Sequence, residues 1–212
     1  MVLSGGSTPQ GLYRRLASAK YVDRVDWACV HLYWGDERCV PPGDAASNYR
    51  MAREALIDHV PIPQAQVHRI RGEVDPAVAA TEYERMLHAM VRDVPGDDPA
   101  QSAFDVVLLG LGSDGHTASL FPGEPAVRES RRWVVAQYLA RNDMWRVTLT
   151  LPALNSARSA IFLVVGADKA PALGSALGEP ASDDSLPAQR VRPSGDAPLW
   201  MVDRAAAQCL AR

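Results

Sequence analysis

The chain has 212 residues, 47% hydrophobic and 22% charged, with a formal net charge of -3 at pH 7. That length suits one sizeable domain and is short for two, while the acidic balance excludes a general nucleic-acid or membrane-surface binder, so any anionic ligand must be held by local charges. Cys29, Cys39 and Cys209 share no metal-like spacing, the five His are scattered, no apolar run reaches bilayer length and the opening MVLSGGSTP lacks signal-peptide regions; together these exclude a disulfide framework, a zinc site and a membrane span, and they point to the cytoplasm.

In chain order, Val2 and Leu3 end a strand, and Ser4-Gly5-Gly6-Ser7-Thr8-Pro9 turns into a helix carrying Leu12, Tyr13 and Leu16. Thr8 is the expected N-cap and Pro9 the first helical residue. Backbone donors, the hydroxyls of Ser7 and Thr8 and the helix amino terminus together make an anion site, or else an ordinary capped turn. Only two or three residues precede this turn, fewer than a buried strand needs, as if something upstream were missing. Cys29–Trp34 is a second buried strand, with Gly35-Asp36-Glu37-Arg38 as a polar loop at its carboxyl end. The fork of Arg38 suits a phosphate, and Asp36 or Glu37 suits orienting that fork or meeting a hydroxyl; the alternative is a surface ion pair.

Ser47 is the expected N-cap of a helix through Asn48, Tyr49, Ala52, Leu56 and Ile57. A short strand is expected over Val67–Ile70. Asp75 and Pro76 open a long amphipathic helix whose Val78, Tyr83, Met86, Leu87, Met90 and Val91 cover one face of a sheet, and a polar loop follows over Pro95–Ser102.

The stretch Phe104–Gly123 is the most informative. Phe104 and Val106 to Leu109 are apolar without alternation, the pattern of a strand buried on both faces of a parallel sheet. It stops at Gly110, Gly112 and Gly115, which allow positive φ and a close backbone approach, so the turn can aim backbone N–H groups, Asp114 and His116 at one small volume. A histidine there can take a proton from water and return it to a leaving group. The structural alternative makes Asp114 the cap of a following helix and His116 a polar residue in its first turn.

Beyond it, Trp133–Leu139 and Arg146–Leu151 are strands, the second alternating Val147, Leu149 and Leu151 against Arg146, Thr148 and Thr150. Pro152–Ala157 is a short helix and Ala160–Val165 an apolar strand. Lys169 then falls in the first turn of the next helix, where a cation opposes the helix dipole unless an anion sits beside it. Gly178–Gly195 is a loop with a short strand near Gln189–Val191, Pro198–Val202 is a last strand, and Asp203 caps a closing helix with Ala206, Cys209 and Leu210. The alternation gives one α/β domain over residues 1–212, three layers α/β/α around a mainly parallel, Rossmann-like sheet.

The segments LSGGSTP from Leu3, WGDERCVPP from Trp34, SNY from Ser47, GLGSDGHTASLFPG from Gly110, RVTLTLPALN from Arg146 and GADKA from Gly166 together resemble the 6-phosphogluconolactonase family, over nearly the whole chain. The resemblance implies the sugar-phosphate isomerase/deaminase fold and hydrolysis of 6-phospho-D-glucono-1,5-lactone in the pentose phosphate pathway, with no metal or organic cofactor. It also implies an amino-terminal helix and a fuller first strand that this chain lacks. His116 is then the general base, positioned by Asp114. Arg38, Lys169 and the turn of Gly5, Gly6, Ser7 and Thr8 hold the 6-phosphate with Arg146 beside them, and Asp36, Asn48 and Tyr49 meet sugar hydroxyls. The turn's N–H groups stabilise the oxyanion. The expected partner is the small sugar phosphate alone, with neither nucleic acid nor membrane, for a monomer or small homo-oligomer. The related glucosamine-6-phosphate deaminases share the Asp-Gly-His turn but carry a Glu five residues after the His, where this chain has Phe121, and Asp-Glu-Tyr where it has Asp36-Glu37-Arg38. A non-catalytic sugar-phosphate sensor is a further alternative, although such sensors add a DNA-binding module and no basic or helix-turn-helix segment is apparent.

Overall fold

The computed structural model describes residues 1–92, 103–178 and 185–210. Its centre is a six-stranded sheet in which β1 (Val2–Leu3), β2 (Leu32–Trp34), β4 (Val67–His68), β5 (Phe104–Gly110), β8 (Ala157–Val164) and β9 (Leu199–Val202) lie in the order β4-β2-β1-β5-β8-β9. Every pairing within it is parallel. Helices α1 (Ser7–Leu16), α2 (Asn48–Ala55), α3 (Pro76–Arg92), α4 (Leu151–Asn155) and α5 (Ala170–Leu177) supply the connections. Val107, Leu108 and Leu109 at the middle of β5 are all buried, as the absence of alternation predicts. On α3 the core face runs through Ala79, Ala80, Tyr83 and Leu87, whereas Val78, expected on that face, is exposed.

A second sheet was not legible in the sequence. β3 (Asp36–Arg38), β7 (Met144–Leu149) and β6 (Val134–Leu139) form an antiparallel sheet in the order β3-β7-β6. The polar loop expected at Asp36–Arg38 is therefore a strand. The Gly35 carbonyl accepts from Leu149 N at 2.8 Å, which passes the chain from the end of β2 into pairing with β7. Thr148 and Thr150 are as buried as Val147 and Leu149, so the alternation in β7 marks two covered faces and no solvent face.

Other boundaries differ for local reasons. The expected Cys29–Trp34 strand begins only at Leu32, because Asp26 closes a 3-10 turn at Trp27–Cys29 by accepting from Ala28 N. The strand at Val67–Ile70 stops at His68. Pro187 starts a 3-10 turn at Pro187–Arg190, closed by Leu186 N donating to Gln189 Oε1, where a strand near Gln189–Val191 was expected. Ser47 caps α2, its Oγ accepting from Arg50 N at 3.1 Å. Asp75 accepts from Ala77 N and Val78 N, and Asp203 from Ala206 N. The loop at Pro95–Ser102 and the side chain of Val91 lie outside the described residues, as does part of the Gly178–Gly195 loop.

Two buried tyrosines secure the ends of the strands that enter the cleft. Tyr13 of α1 accepts from Ser4 N and donates to Ser4 O, both at 2.9 Å. Tyr83 of α3 does the same at Trp34, accepting from its N at 2.8 Å and donating to its O at 3.1 Å. Burial pushes both phenols up, so they remain donors across the physiological range. Tyr13→Phe leaves the backbone donor and acceptor of Ser4 buried without that partner. The expected cost is about 1 to 3 kcal/mol of stability with an unchanged denaturant slope, checked by urea unfolding.

Candidate active site

The order β4-β2-β1-β5-β8-β9 places β1 and β5 side by side, with later strands leading away from them in opposite directions. At such a switch point the connections diverge and leave a crevice at the carboxyl ends of the strands. Here the crevice is a cleft of about 440 Å³ lined by Ser4 to Gly6 after β1, Gly110 to Asp114 and His116 after β5, Asp36 and Arg38 of β3, Arg146 of β7, and Lys169.

Close approach dictates its glycines. A Cβ on Gly112 would stand 1.9 Å from His116 Nδ1 and 2.7 Å from Asp114 Oδ1, so that position must be bare for the two side chains to meet. A Cβ on Gly5 would lie 2.0 Å from Asn48 Oδ1. Of the three glycines of the central turn, Gly115 uses positive φ, at 80°, Gly112 provides the close approach, and Gly110 continues β5.

Asp114 and His116 do not begin a helix. The segment after β5 is a turn closed by Gly112 N donating to His116 O at 2.9 Å, which removes the helix-cap reading. His116 Nδ1 lies 2.5 Å from Asp114 Oδ1, and His116 N donates to the same oxygen at 3.2 Å. An ionised carboxylate only accepts, so the imidazole proton sits on Nδ1 and Nε2 is left as the basic nitrogen. Phe121 packs on the imidazole, with ring centroids 4.1 Å apart, at the position where the deaminases' Glu is expected. Arg141, from the tip of the β6–β7 hairpin, donates from Nη1 to Asp114 Oδ2 at 2.7 Å and lies over Phe121 at 4.2 Å. Burial opposes ionisation of Asp114, but the hydrogen bonds from His116 and Arg141 outweigh it and hold the carboxyl below its usual range.

The opposite wall is basic. Arg38 and Arg146 are direct cross-strand partners in the β3–β7 register. Like charges so placed repel. The Nε of each is buried without a hydrogen-bond partner, while Arg38 Nη1 donates to Ala46 O at 2.5 Å. Burial, and then the charge of Arg38, lowers the Arg146 pKa. Lys169 stands at the far end, 3.2 Å from Asp168 Oδ2, so a side-chain carboxylate already offsets the helix-dipole cost expected for that cation. An adjoining cavity of about 170 Å³ carries the cleft on to Ser7, Thr8 and the start of α1. There Gly6, at φ 106°, takes the N-cap position, so α1 starts at Ser7 and Thr8 is not the cap. Within the cleft lining, Arg38, Arg141, Arg146 and Lys169 face only Asp36 and Asp114 as carboxylates.

Of the other expected site residues, Asp36 and Asn48 line the cleft and hold one another. Asn48 Nδ2 donates to Asp36 O at 2.9 Å and to Oδ1 at 3.2 Å, and Ser119 Oγ donates to Asp36 Oδ2 at 2.7 Å. Tyr49 does not reach the cleft; its ring packs edge-on against Trp34 at 5.5 Å and lies under Arg69. Neither acid beside Arg38 orients its fork. Glu37 turns inward and accepts from Arg38 N, Asn48 N, Tyr49 N and Ser47 Oγ, joining β3 to the start of α2; burial pushes its carboxyl up while those amides pull it back. In the glycine turn, the N–H groups of Gly112 and Gly115 are bonded to His116 O and Gly112 O, so they are not the oxyanion donors expected there. Arg141 escaped the sequence reading because its segment, Ala140-Arg141-Asn142, carries no motif, and only the hairpin brings it to Asp114. Among the described residues no group of three or more His, Cys, Asp or Glu comes together as a metal site, and no helix is long and apolar enough to cross a membrane.

Residues 1–200 match the family model described as glucosamine-6-phosphate isomerases/6-phosphogluconolactonase. A 6-phosphogluconolactonase of Nostoc sp. is 42% identical over 207 residues, covering 97% of this chain and 82% of that one. The solved 6-phosphogluconolactonase of Trypanosoma brucei has a TM-score of 0.80 at 32% identity, covering 99% of this chain and 86% of that one. A monomeric glucosamine-6-phosphate deaminase has a TM-score of 0.80 at 20% identity, over 98% of this chain and 86% of that one, a likeness of fold alone.

The depressed carboxyl of Asp114 makes a pH prediction. Its ionisation contributes stability that is fully present above the unfolded value of about 3.9 and is lost as pH falls through the lower folded value. Asp114→Asn is therefore destabilised relative to the parent at pH 7, and the gap narrows as pH falls below about 4. Urea unfolding of both proteins across that range checks it; a gap independent of pH contradicts it.

Proposed function

Because the chain belongs to the family of glucosamine-6-phosphate isomerases and 6-phosphogluconolactonases, we propose that it hydrolyses 6-phospho-D-glucono-1,5-lactone to 6-phospho-D-gluconate, the lactone-opening step of the oxidative pentose phosphate pathway. One observation carries the reading on this chain's own residues: a histidine with a free basic Nε2, held by a carboxylate, shares a cleft with two arginines opposed across a strand pair. The first suits activating water, and the second suits a dianionic phosphate between two repelling cations.

In this mechanism His116 Nε2 takes a proton from water as its oxygen bonds to C1. The tetrahedral intermediate then breaks the bond from C1 to the ring oxygen, which leaves as the C5 hydroxyl with the proton returned by His116. Asp114 keeps the imidazole in the required tautomer and stabilises the imidazolium. Arg38, Arg146, Lys169 and the turn from Gly5 to Thr8 hold the 6-phosphate. Asp36 and Asn48 meet sugar hydroxyls. The N–H groups of Gly112 and Gly115 are bonded within the turn, so they do not meet the negative charge developing at C1. A cytoplasmic setting with no nucleic-acid or membrane partner belongs to the same proposal, supported by the net charge of -3 and three free thiols.

The purified protein is expected to accelerate lactone hydrolysis above the spontaneous rate and to release no ammonia from glucosamine 6-phosphate. His116→Ala lowers kcat by roughly 10² to 10⁴ while product affinity stays nearly intact, measured with excess enzyme because the lactone also opens unaided. Ammonia release at a comparable rate, or a fully active His116→Ala protein, would sink the reading.

Arg146→Ala is expected to raise KM for the phosphorylated lactone about 10- to 100-fold, corresponding to roughly 1.5 to 3 kcal/mol for a charge-assisted contact. KM for unphosphorylated gluconolactone should barely change. Equal effects on the two substrates move Arg146 out of the phosphate site.

A further inference from the structure

Arg141 has no assigned role in the proposed reaction, yet it holds the second oxygen of the carboxylate that positions the base. Its guanidinium donates from Nη1 to Asp114 Oδ2 at 2.7 Å, while Asp114 Oδ1 receives His116 Nδ1 at 2.5 Å. Phe121 closes the group, its ring in contact with both the guanidinium and the imidazole. Arg141, Asp114, His116 and Phe121 thus form a ring of contacts, and three different segments contribute to it: the turn after β5, the chain leading on from it and the tip of the β6–β7 hairpin.

From this geometry we propose that Arg141 is a positioning residue for the hydrolytic dyad, acting through Asp114 to fix the carboxylate against His116. The inference rests on the lactonase reading for its kinetic consequence and on the contacts alone for its structural one.

Stability does not account for the contact. The Arg141 and Asp114 side chains are 42% and 36% exposed, and an ion pair so placed contributes little to folding. Its geometry matters more. A carboxylate bonded on one oxygen only can swing about its Cβ–Cγ bond, whereas one bonded on both is fixed in plane. The hairpin turn is suited to hold the guanidinium in place: Asp143 adopts φ 48° at the tip and bonds Tyr138.

Three variants separate the possibilities. Arg141→Met keeps an apolar stem for Phe121 and loses the charge and the fork. It is expected to lower kcat at pH 7 about tenfold with KM changed less than about twofold. Arg141→Lys keeps a charged donor for Asp114 Oδ2, so much of kcat returns. Asp114→Asn removes the group through which Arg141 acts, and adding Arg141→Met to it should change kcat less than about twofold. A rise in KM alone makes Arg141 a substrate contact and overturns the proposal, as does an unchanged kcat in Arg141→Met. NMR of the resting protein reads the geometry without any turnover: the hydrogen-bonded Nδ1 proton of His116 is expected to broaden or vanish in Arg141→Met. A protein that opens no lactone but shows this loss defeats the functional reading and keeps the inference; one that opens the lactone and keeps the signal in Arg141→Met does the reverse.

Discussion

The site depends on β1 and β5 being parallel neighbours whose chains then part. Where two adjacent strands end together and their connections diverge, no segment covers the crevice between them, and the backbone groups at their carboxyl ends face a space that only side chains or a ligand can fill. Ser4 to Gly6 and Gly110 to His116 arrive there because they follow those two strands. Tyr13 and Tyr83 keep the edge in place by bonding backbone polar groups at the ends of β1 and β2.

The antiparallel sheet turns that crevice into a chemical site. β3 leaves the end of β2 and pairs with β7, which sets Arg38 against Arg146, and the hairpin from β6 to β7 delivers Arg141 to the other wall. One small sheet thus furnishes cations on both sides of a cleft in a chain whose net charge is negative. Opposing two arginines across a strand pair and burying each Nε without a partner raises the energy of the empty site. Under the proposed function, the phosphate placed between them offsets both costs. Glu37 bears the structural load of the same strand, tying β3 to the first turn of α2 through four donors, and leaves Asp36 as the acid that faces the cleft.

Much of this was legible from the residues. The non-alternating run from Phe104 to Leu109 could be buried only on both faces, and the glycines after it announced a place where side chains and backbone crowd together. Ser47 and Asp75 marked helix starts through their own capping oxygens, short-range chemistry that the local sequence determines, whereas Asp203 bonds Ala206 N ahead of only a 3-10 turn at Ala206–Cys209 where a closing helix was expected. Asp114 and His116, two residues apart in a tight turn, were bound to meet; Gly112 shows how little room the meeting leaves.

Tertiary structure decided what depends on register and on distant partners. Asp36-Glu37-Arg38 has the composition of a loop, and it becomes a strand because β7, more than a hundred residues later, offers it a ladder. Tyr49 and Asn48 are adjacent in sequence, but the turn of α2 sends one toward Trp34 and the other into the cleft. Arg146 acquires its opposed partner only through the pairing of β3 with β7, and Arg141 its carboxylate only through the reach of a hairpin. Local hydrogen bonds and side-chain volume act over a few residues and can be read along the chain. The pairing of strands is settled by the packing of the whole, and it is that packing that brings separated charges within a few ångströms of one another.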